Sequence, residues 1–400
     1  MAIPPIAALE IGTTQTVALV GEVDDARRVT ITGRGVYKTT GVRKGQVIDV
    51  EQAKVGVKKA VQQAAEESEV DVGRLLLAVS GGHIEAKVNH GSVPVRARDQ
   101  IVSREDVEEV AELAQAISLP SDRDVMHTVA QSYSLDDQSG IMKPEGLHGA
   151  QLSLDMLVIH ALRNRIDNLR KVVQSVELNV DDVVFSGLCA ALSVLTSEQK
   201  RNGVAVIDLG GGTTNYLAYA DNVIASAGSF AIGGDHVTND LVVAFNLQTA
   251  RAEEMKRREG DARVGSGAAL KRLIIPEDLG FQERSISLKA FHVVINARLA
   301  ETLRLVRSAL LETGVLPKLN AGIVFTGGGA SLPGLTELGR SIFGVPCLVG
   351  VPGNVSGLED VENPAAYATV AGLVLYGFKT YQETGIMRPF KEFFQGFFKR

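Results

Sequence analysis

Two stretches of this chain, about two hundred residues apart, repeat one unusual pattern, and that repeat constrains the fold more than any other feature. In the first, Ile6-Ala7-Ala8-Leu9-Glu10-Ile11 reads as an apolar strand with an acid near its end. Gly12-Thr13-Thr14 turns the chain, and Thr16 to Val23 reads as the returning strand. In the second, Val204-Ala205-Val206-Ile207-Asp208-Leu209 enters Gly210-Gly211-Gly212-Thr213-Thr214, and Tyr216 to Tyr219 returns. Both predict β-hairpins closed by a tight loop. One copy would be an ordinary glycine-rich turn; two copies with an acid at the same place point to a shared task. Glycines let backbone N–H groups approach phosphate oxygens, and threonine hydroxyls add donors. Gly12, Thr13, Thr14 and Gln15, with Gly210, Gly211, Gly212, Thr213 and Thr214, are therefore the candidate phosphate-binding residues. An acid just before such a loop can hold the waters of a phosphate-bridging Mg²⁺, which makes Glu10 and Asp208 the candidate metal residues.

A third glycine cluster follows the apolar run Ala321 to Thr326: Gly327-Gly328-Gly329-Ala330, then Leu332-Pro333-Gly334-Leu335, which predicts a helix opening with proline near its start. Side-chain-free backbone there can lie flat beside an adenosine, although taken alone the cluster reads rather as a strand–helix turn. It is neither a Walker loop nor a G-x-G-x-x-G dinucleotide fingerprint. A chain of 400 residues is long for one core, so at least two domains are expected. With 45% hydrophobic and 22% charged residues, it has a globular rather than a disordered balance. The formal charge of −6 supplies no basic footprint and argues against nucleic acid as a partner. Cys189 and Cys347 form neither a disulfide framework nor a metal motif, as expected in a reducing cytosol. Glu10 and Gln15 interrupt any signal-peptide pattern, and no apolar run reaches the roughly eighteen residues of a membrane span.

The last thirteen residues, Arg388-Pro389-Phe390-Lys391-Glu392-Phe393-Phe394-Gln395-Gly396-Phe397-Phe398-Lys399-Arg400, carry five of the chain's thirteen phenylalanines. Phe390, Phe393, Phe394, Phe397 and Phe398 fall on one helical stripe with polar residues opposite. Four basic residues and Glu392 give the segment a charge of +3. So short a helix is marginal in water, and Gly396 weakens it further. Full burial of the stripe would contribute about 7–15 kcal/mol before ordering costs, at about 1.5–3 per phenylalanine. Each basic residue near anionic lipid adds about 1 kcal/mol. Residues 388–400 thus read as an interfacial membrane helix, with Lys391, Lys399 and Arg400 facing lipid headgroups. The competing reading is a helix packed on the protein's own core.

Two phosphate hairpins and a later adenosine cluster resemble the actin, Hsp70 and sugar-kinase superfamily. Within it the chain resembles the bacterial cell-division protein family FtsA over essentially its whole length. The specific match lies between the hairpins. Val102-Ser103-Arg104-Glu105-Asp106-Val107 precedes a helix with Val110, Leu113, Ala114 and Ile117. His127, Gln131, Tyr133 and Asp136 follow, and then Gly140-Ile141, Pro144, Gly146-Leu147, Gly149 and His160 in the family's order. The resemblance implies an α/β, actin-like (ribonuclease H-like) two-domain fold with an inserted subdomain 1C. It would place 1A at residues 1–82, 164–200 and 362–380, and 1C at 83–163. Subdomain 2A would take 201–226 and 304–361, 2B would take 227–303, and a linker at 381–387 would precede the tail.

The resemblance also implies ATP and Mg²⁺ as ligands, with the nucleoside held by Gly234, Glu253, Lys256, Gly327, Gly328 and Gly329. Without it, the helix Gln248 to Glu259 would read as a solvated charged face. It implies a cytoplasmic, peripheral protein at the division site that polymerises and binds other division proteins. Arg298 would receive the acidic C-terminal peptide of FtsZ, the tubulin-like ring protein, by a bidentate pair; pairing with Glu301 or another neighbour is the alternative. Three positions depart from the family pattern. Gln15 replaces a frequent lysine, Asn215 a usual aspartate, and Ser186 stands where some relatives carry a water-orienting glutamate. No catalytic residue is assigned, and weak or no ATP hydrolysis is expected; slow hydrolysis through Asp208-bound Mg²⁺ is the other possibility. The competing functions are a PilM-like pilus-assembly protein and a slow ATPase or kinase of the superfamily.

Overall fold

The computed structural model describes residues 3–24, 27–265, 271–275, 277 and 282–384. Two central sheets are built on one plan. The first runs in the order Asn179–Phe185, Arg74–Val79, Ile6–Ile11, Gln15–Val23, Val29–Lys38, with the short strand Val355–Ser356 at its edge. The second runs Cys347–Val349, Ile323–Thr326, Val204–Leu209, Thr214–Ala220, Val223–Phe230. In each, three consecutive antiparallel strands are extended by two parallel ones, through pairs such as Leu9↔Leu77 and Ile207↔Phe325. The sequence repeat is therefore a repeat of topology, and the α/β class holds.

Apolar runs explain where these strands lie. Val204–Leu209 and Thr214–Ala220 are buried at every position, as expected of strands covered on both faces. The helix Val50–Ser68 starts on the Asp49 side chain, which accepts from the Gln52 N–H, and ends at left-handed Glu69. Its stripe Ala53, Val57, Ala60, Val61, Ala64 is buried on the first sheet. The helix Ser186–Val194, made of small and apolar residues, touches strands of both sheets. It crosses the helix Ala368–Thr384 with the backbones in contact: a Cβ on Gly372 would fall 1.7 Å from the Cys189 carbonyl oxygen, so only glycine fits. That second helix continues through residues 381–384, which a linker was expected to occupy.

Each sheet carries an insertion. Between Arg74–Val79 and Asn179–Phe185 stands a four-stranded antiparallel sheet in the order Glu85–Pro94, Gln151–Leu162, Arg123–Leu135, Gln138–Ile141. The helix Arg104–Gln115, started by a reciprocal Ser103–Asp106 capping box, packs on it through Val110 and Ala114. The residues on which the family resemblance rested hold this unit in place. His127 Nε2 accepts from the Phe185 N–H (3.0 Å), Gln131 donates to the Ile224 carbonyl (3.3 Å), and His160 Nδ1 accepts from Arg123 Nε (2.8 Å). The second insertion comprises helices Gly234–Phe245 and Thr249–Glu259 and the ribbon Arg272–Ile275/Arg284–Ser287. The helix Leu288–Glu312 joins it to the sheet. Phe291, Ile295 and Leu299 belong to the small core of the insertion, and Leu303, Val306 and Leu310 to that of the second sheet.

Candidate nucleotide-binding site

The two predicted loops are closed by the same bond. The Gly12 N–H donates to the Gln15 carbonyl (3.0 Å), and the Gly210 N–H to the Thr213 carbonyl (2.9 Å). The loops face and interlock across the gap between the sheets. A Cβ on Gly211 would fall 2.0 Å from Thr14 Oγ1, and one on Gly212 would fall 2.3 Å from Thr13 Oγ1. Glycine at these positions is what lets the two loops approach.

Glu10 and Asp208 occupy equivalent places just before the loops. Burial, then the charge of Asp208, pushes the Glu10 carboxyl up to about 8. Burial also raises Asp208, although Asn215 Nδ2 (3.0 Å) and Thr369 Oγ1 (3.2 Å) donate to its Oδ2. Asp208, buried, and Glu10, half-buried and close enough to feel its charge, form an oxygen-only donor set that a hydrated divalent cation would neutralise. No cluster of three or more metal-ligating side chains occurs among the described residues.

The third cluster lies against the same floor. Gly327 is left-handed (φ +82°), and a Cβ there would fall 2.2 Å from Asp208 Oδ1; Gly328 has open space where a Cβ would stand. The chain then makes a 3₁₀ turn over Gly328–Ser331. The next helix begins at Leu335, with Gly334 at its N-cap and Pro333 just before, near its start. On the opposite side, the helix Gly234–Phe245 is fixed to the second loop by Gly234 and Asp235 N–H groups donating to the Gly210 (2.9 Å) and Gly211 (2.8 Å) carbonyls. Lys256 Nζ joins Gly234 O (3.1 Å), Thr238 Oγ1 (2.9 Å) and Glu253 Oε2 (2.6 Å). Burial alone would raise Glu253; the Lys256 charge and hydrogen bonds from Lys256, Thr238 and Arg257 outweigh it and hold the carboxyl down to about 2. These contacts bring the two loops, the third glycine cluster and the Gly234–Lys256 side together, whereas Thr214 is fully buried and its hydroxyl donates to the Ile232 carbonyl (2.8 Å) rather than into the gap.

A family model for the cell division protein FtsA matches residues 205–372, and a model for the SHS2 domain inserted in FtsA matches residues 81–160. Cell division protein FtsA of Pseudomonas aeruginosa is 35% identical over 372 residues, spanning 93% of this chain and 89% of the relative. The Escherichia coli K12 protein of the same name is 33% identical over 379 residues, spanning 93% and 90%. The chain belongs to the FtsA family. Solved structures share its actin-like ATPase fold. The PilM-PilN type IV pilus biogenesis complex superposes with a TM-score of 0.64 at 16% identity, over 93% of this chain and 98% of that one. MreB5 of Spiroplasma citri bound to AMPPNP gives 0.58 at 14% identity, over 96% and 100%. At such identities the likeness to PilM is one of fold alone, whereas the FtsA relatives match in sequence.

The departures from the FtsA pattern acquire a geometry. Asn215 donates to Asp208 and accepts from Ser229 Oγ (2.7 Å), which in turn accepts from the Gly81 N–H (3.2 Å). An aspartate there could not donate to Asp208 unless protonated. The Ser186 hydroxyl is buried, makes no hydrogen bond among the described residues, and is no general base. Arg298 takes the alternative expected for it, pairing with neighbours. Its Nε and Nη2 make a bidentate pair with Asp240 (2.6 and 3.0 Å), and its Nη1 bonds Glu301 (2.8 Å). Asp240 lies 58 residues away in the chain, on the helix Gly234–Phe245, so its approach could not be read locally.

Sequence reasoning also missed two cleft contacts. The Gly45 N–H, from the small hairpin Val42–Arg43/Gln46–Val47, donates to Thr13 Oγ1 (3.1 Å), and Ser80 Oγ lies 3.2 Å from Thr213 Oγ1. The signals were the dipeptide Lys44-Gly45 and the run Ser80-Gly81-Gly82 after an apolar strand. The segment assigned to membrane binding, with Phe390, Phe393, Phe394, Phe397, Phe398, Lys391, Lys399 and Arg400, lies outside the described residues, as do 385–387. No helix among the described residues is long and apolar enough to cross a membrane.

Proposed function

We propose that this chain holds Mg²⁺–ATP between its two domains, assembles with copies of itself, and tethers FtsZ to anionic membrane through residues 388–400. The observation that carries the reading is the pair of interlocked loops, closed by matching bonds and each preceded by a carboxylate, Asp208 buried and Glu10 half-buried. Backbone N–H groups and threonine hydroxyls of the loops would hold the phosphates, and Gly327 to Gly329, Gly234, Glu253 and Lys256 would flank the nucleoside. Glu10 and Asp208 would hold the Mg²⁺ through its waters, and the cation would neutralise phosphate charge. With Ser186 inert and Gln15 uncharged, the nucleotide serves as a clamp between domains, with little turnover. The five-phenylalanine stripe supports the membrane contact, and family membership supports FtsZ and other division proteins as partners. FtsZ would dock on the insertion bearing the helix Leu288–Glu312, where Val243 and Val293 are exposed.

The test is co-sedimentation of the full chain with vesicles containing anionic lipid, with and without residues 388–400 and with Mg²⁺–ATP or Mg²⁺–ADP. The expected result is ATP-favoured pelleting that the truncation abolishes. Unchanged pelleting after truncation would remove the membrane role. Phosphate release matching the bound ATP within minutes would remove the low-turnover reading.

A further inference from the structure

The hairpin Val42–Arg43/Gln46–Val47 turns through Lys44 (φ +52°) and Gly45 (φ +72°), two consecutive left-handed residues. Such a turn takes glycine at no steric cost and asparagine readily, whereas a lysine in its first position is unusual. Nothing in the two-residue strands demands a lysine there. The tip instead sits against the phosphate loops. The Gly45 N–H donates to Thr13 Oγ1 in the first phosphate loop, and a Cβ on Gly45 would fall 2.7 Å from the Ser80 carbonyl oxygen. A Cβ on Gly212, in the second loop, would fall 2.9 Å from Lys44 Cα. The tip is therefore seated against both loops at once, where their donors converge.

The Lys44 side chain is exposed and makes no hydrogen bond or ion pair among the described residues. Its charge reaches the opposite wall. Burial first, and then Lys44, lowers the imidazole of His236 at the start of the helix Gly234–Phe245. The first loop has Gln15 and contributes no cation, and Lys256 is already engaged by Glu253. A triphosphate held by these loops would thus meet the ammonium group of Lys44, uncommitted among the described residues and carried on a strained turn.

We propose that Lys44 is a positioning residue for the terminal phosphate of a nucleoside triphosphate, the group that distinguishes ATP from ADP here. The proposal rests on the reading of the cleft as an ATP site. An ammonium acts as a point charge on phosphate, without the planar fork of arginine. Substitution should therefore weaken the triphosphate complex selectively.

The test is calorimetric titration of the nucleotide-free full chain with Mg²⁺–ATP and Mg²⁺–ADP, for the wild type, Lys44→Ala and Lys44→Arg. Lys44→Ala is expected to weaken ATP about tenfold, equivalent to about 1.4 kcal/mol, with ADP changed by less than about twofold. Lys44→Arg is expected to recover most of the ATP affinity. Equal losses for both nucleotides would mean that the residue only braces the loops, and no loss for either would mean that it never meets the phosphate; each overturns the proposal. A wild type that binds neither nucleotide would instead overturn the ATP reading of the cleft, and this proposal with it.

Discussion

Acid should loosen the inserted four-stranded unit before the rest of the molecule, through two histidines at its base. His127 is 1% exposed, and burial pushes its imidazole down to about 3; His83 is 5% exposed, and burial, then Arg165 and Arg123, push it down to about 4. Both start near 6.5 in the unfolded chain. Between the two values the unfolded state binds one more proton per histidine, so stability rises with pH and falls as the solution is acidified below about 6.5. The slope is about 1.4 kcal/mol per pH unit for each group, or about 2 kcal/mol each at pH 5. Protonation also turns the His127 Nε2 acceptor into a donor facing the Phe185 N–H. His127→Gln keeps a side-chain acceptor and removes the titration. Its urea midpoint, relative to the wild type, should therefore improve progressively between pH 7 and pH 5, and hydrogen exchange at pH 5 should show less opening of the strand Arg123–Leu135. A midpoint difference that stays constant across that interval would refute the assignment of acid sensitivity to this histidine.

Gly212→Val should abolish nucleotide binding while leaving the helix content intact, because the new side chain would occupy the space of Thr13 Oγ1 and Lys44 Cα; calorimetric titration and circular dichroism check the two halves. Arg298→Ala should cost about 2–4 kcal/mol of stability, since it leaves the partly buried Asp240 carboxylate unpaired; Arg298→Ala combined with Asp240→Ala should recover most of it. If the double variant binds an acidic FtsZ C-terminal peptide as the wild type does, Arg298 is a fastener between helices rather than the peptide's receptor.

The sequence made the phosphate loops legible because glycine, threonine and an acid in fixed order have few other uses, and their repetition removed most of the remaining ambiguity. It did not reveal that Val204–Leu209 and Ile6–Ile11 start sheets of identical strand order. That follows from pairings such as Ile207↔Phe325, more than a hundred residues apart. Family resemblance located Glu253 and Lys256, yet local charge counting would have left them on a solvated face. Only their meeting with Thr238 and Gly234 explains why they are half-buried. The Asp240 partner of Arg298 was hidden for the same reason, since it comes from another helix. The Lys44 hairpin was invisible because two-residue strands carry no hydrophobic period.

Across the cleft, the contacts that join the two domains are also the contacts that surround the phosphate site. Thr369, from the helix Ala368–Thr384 on the first domain, donates to Asp208 on the second; Ser80 meets Thr213, and Gly81 donates to Ser229. The chain Gly81–Ser229–Asn215–Asp208 runs from the root of the inserted unit to the candidate metal residue without leaving hydrogen-bond distance. A ligand drawing on Asp208 and the loop donors therefore cannot bind without bearing on the domain interface and the insertion together. Asn215 suits such a chain, because its amide donates to one neighbour and accepts from the other at any ordinary pH. On the proposed reading, in which the nucleotide sets subunit shape with little turnover, a neutral relay at this position serves better than another carboxylate.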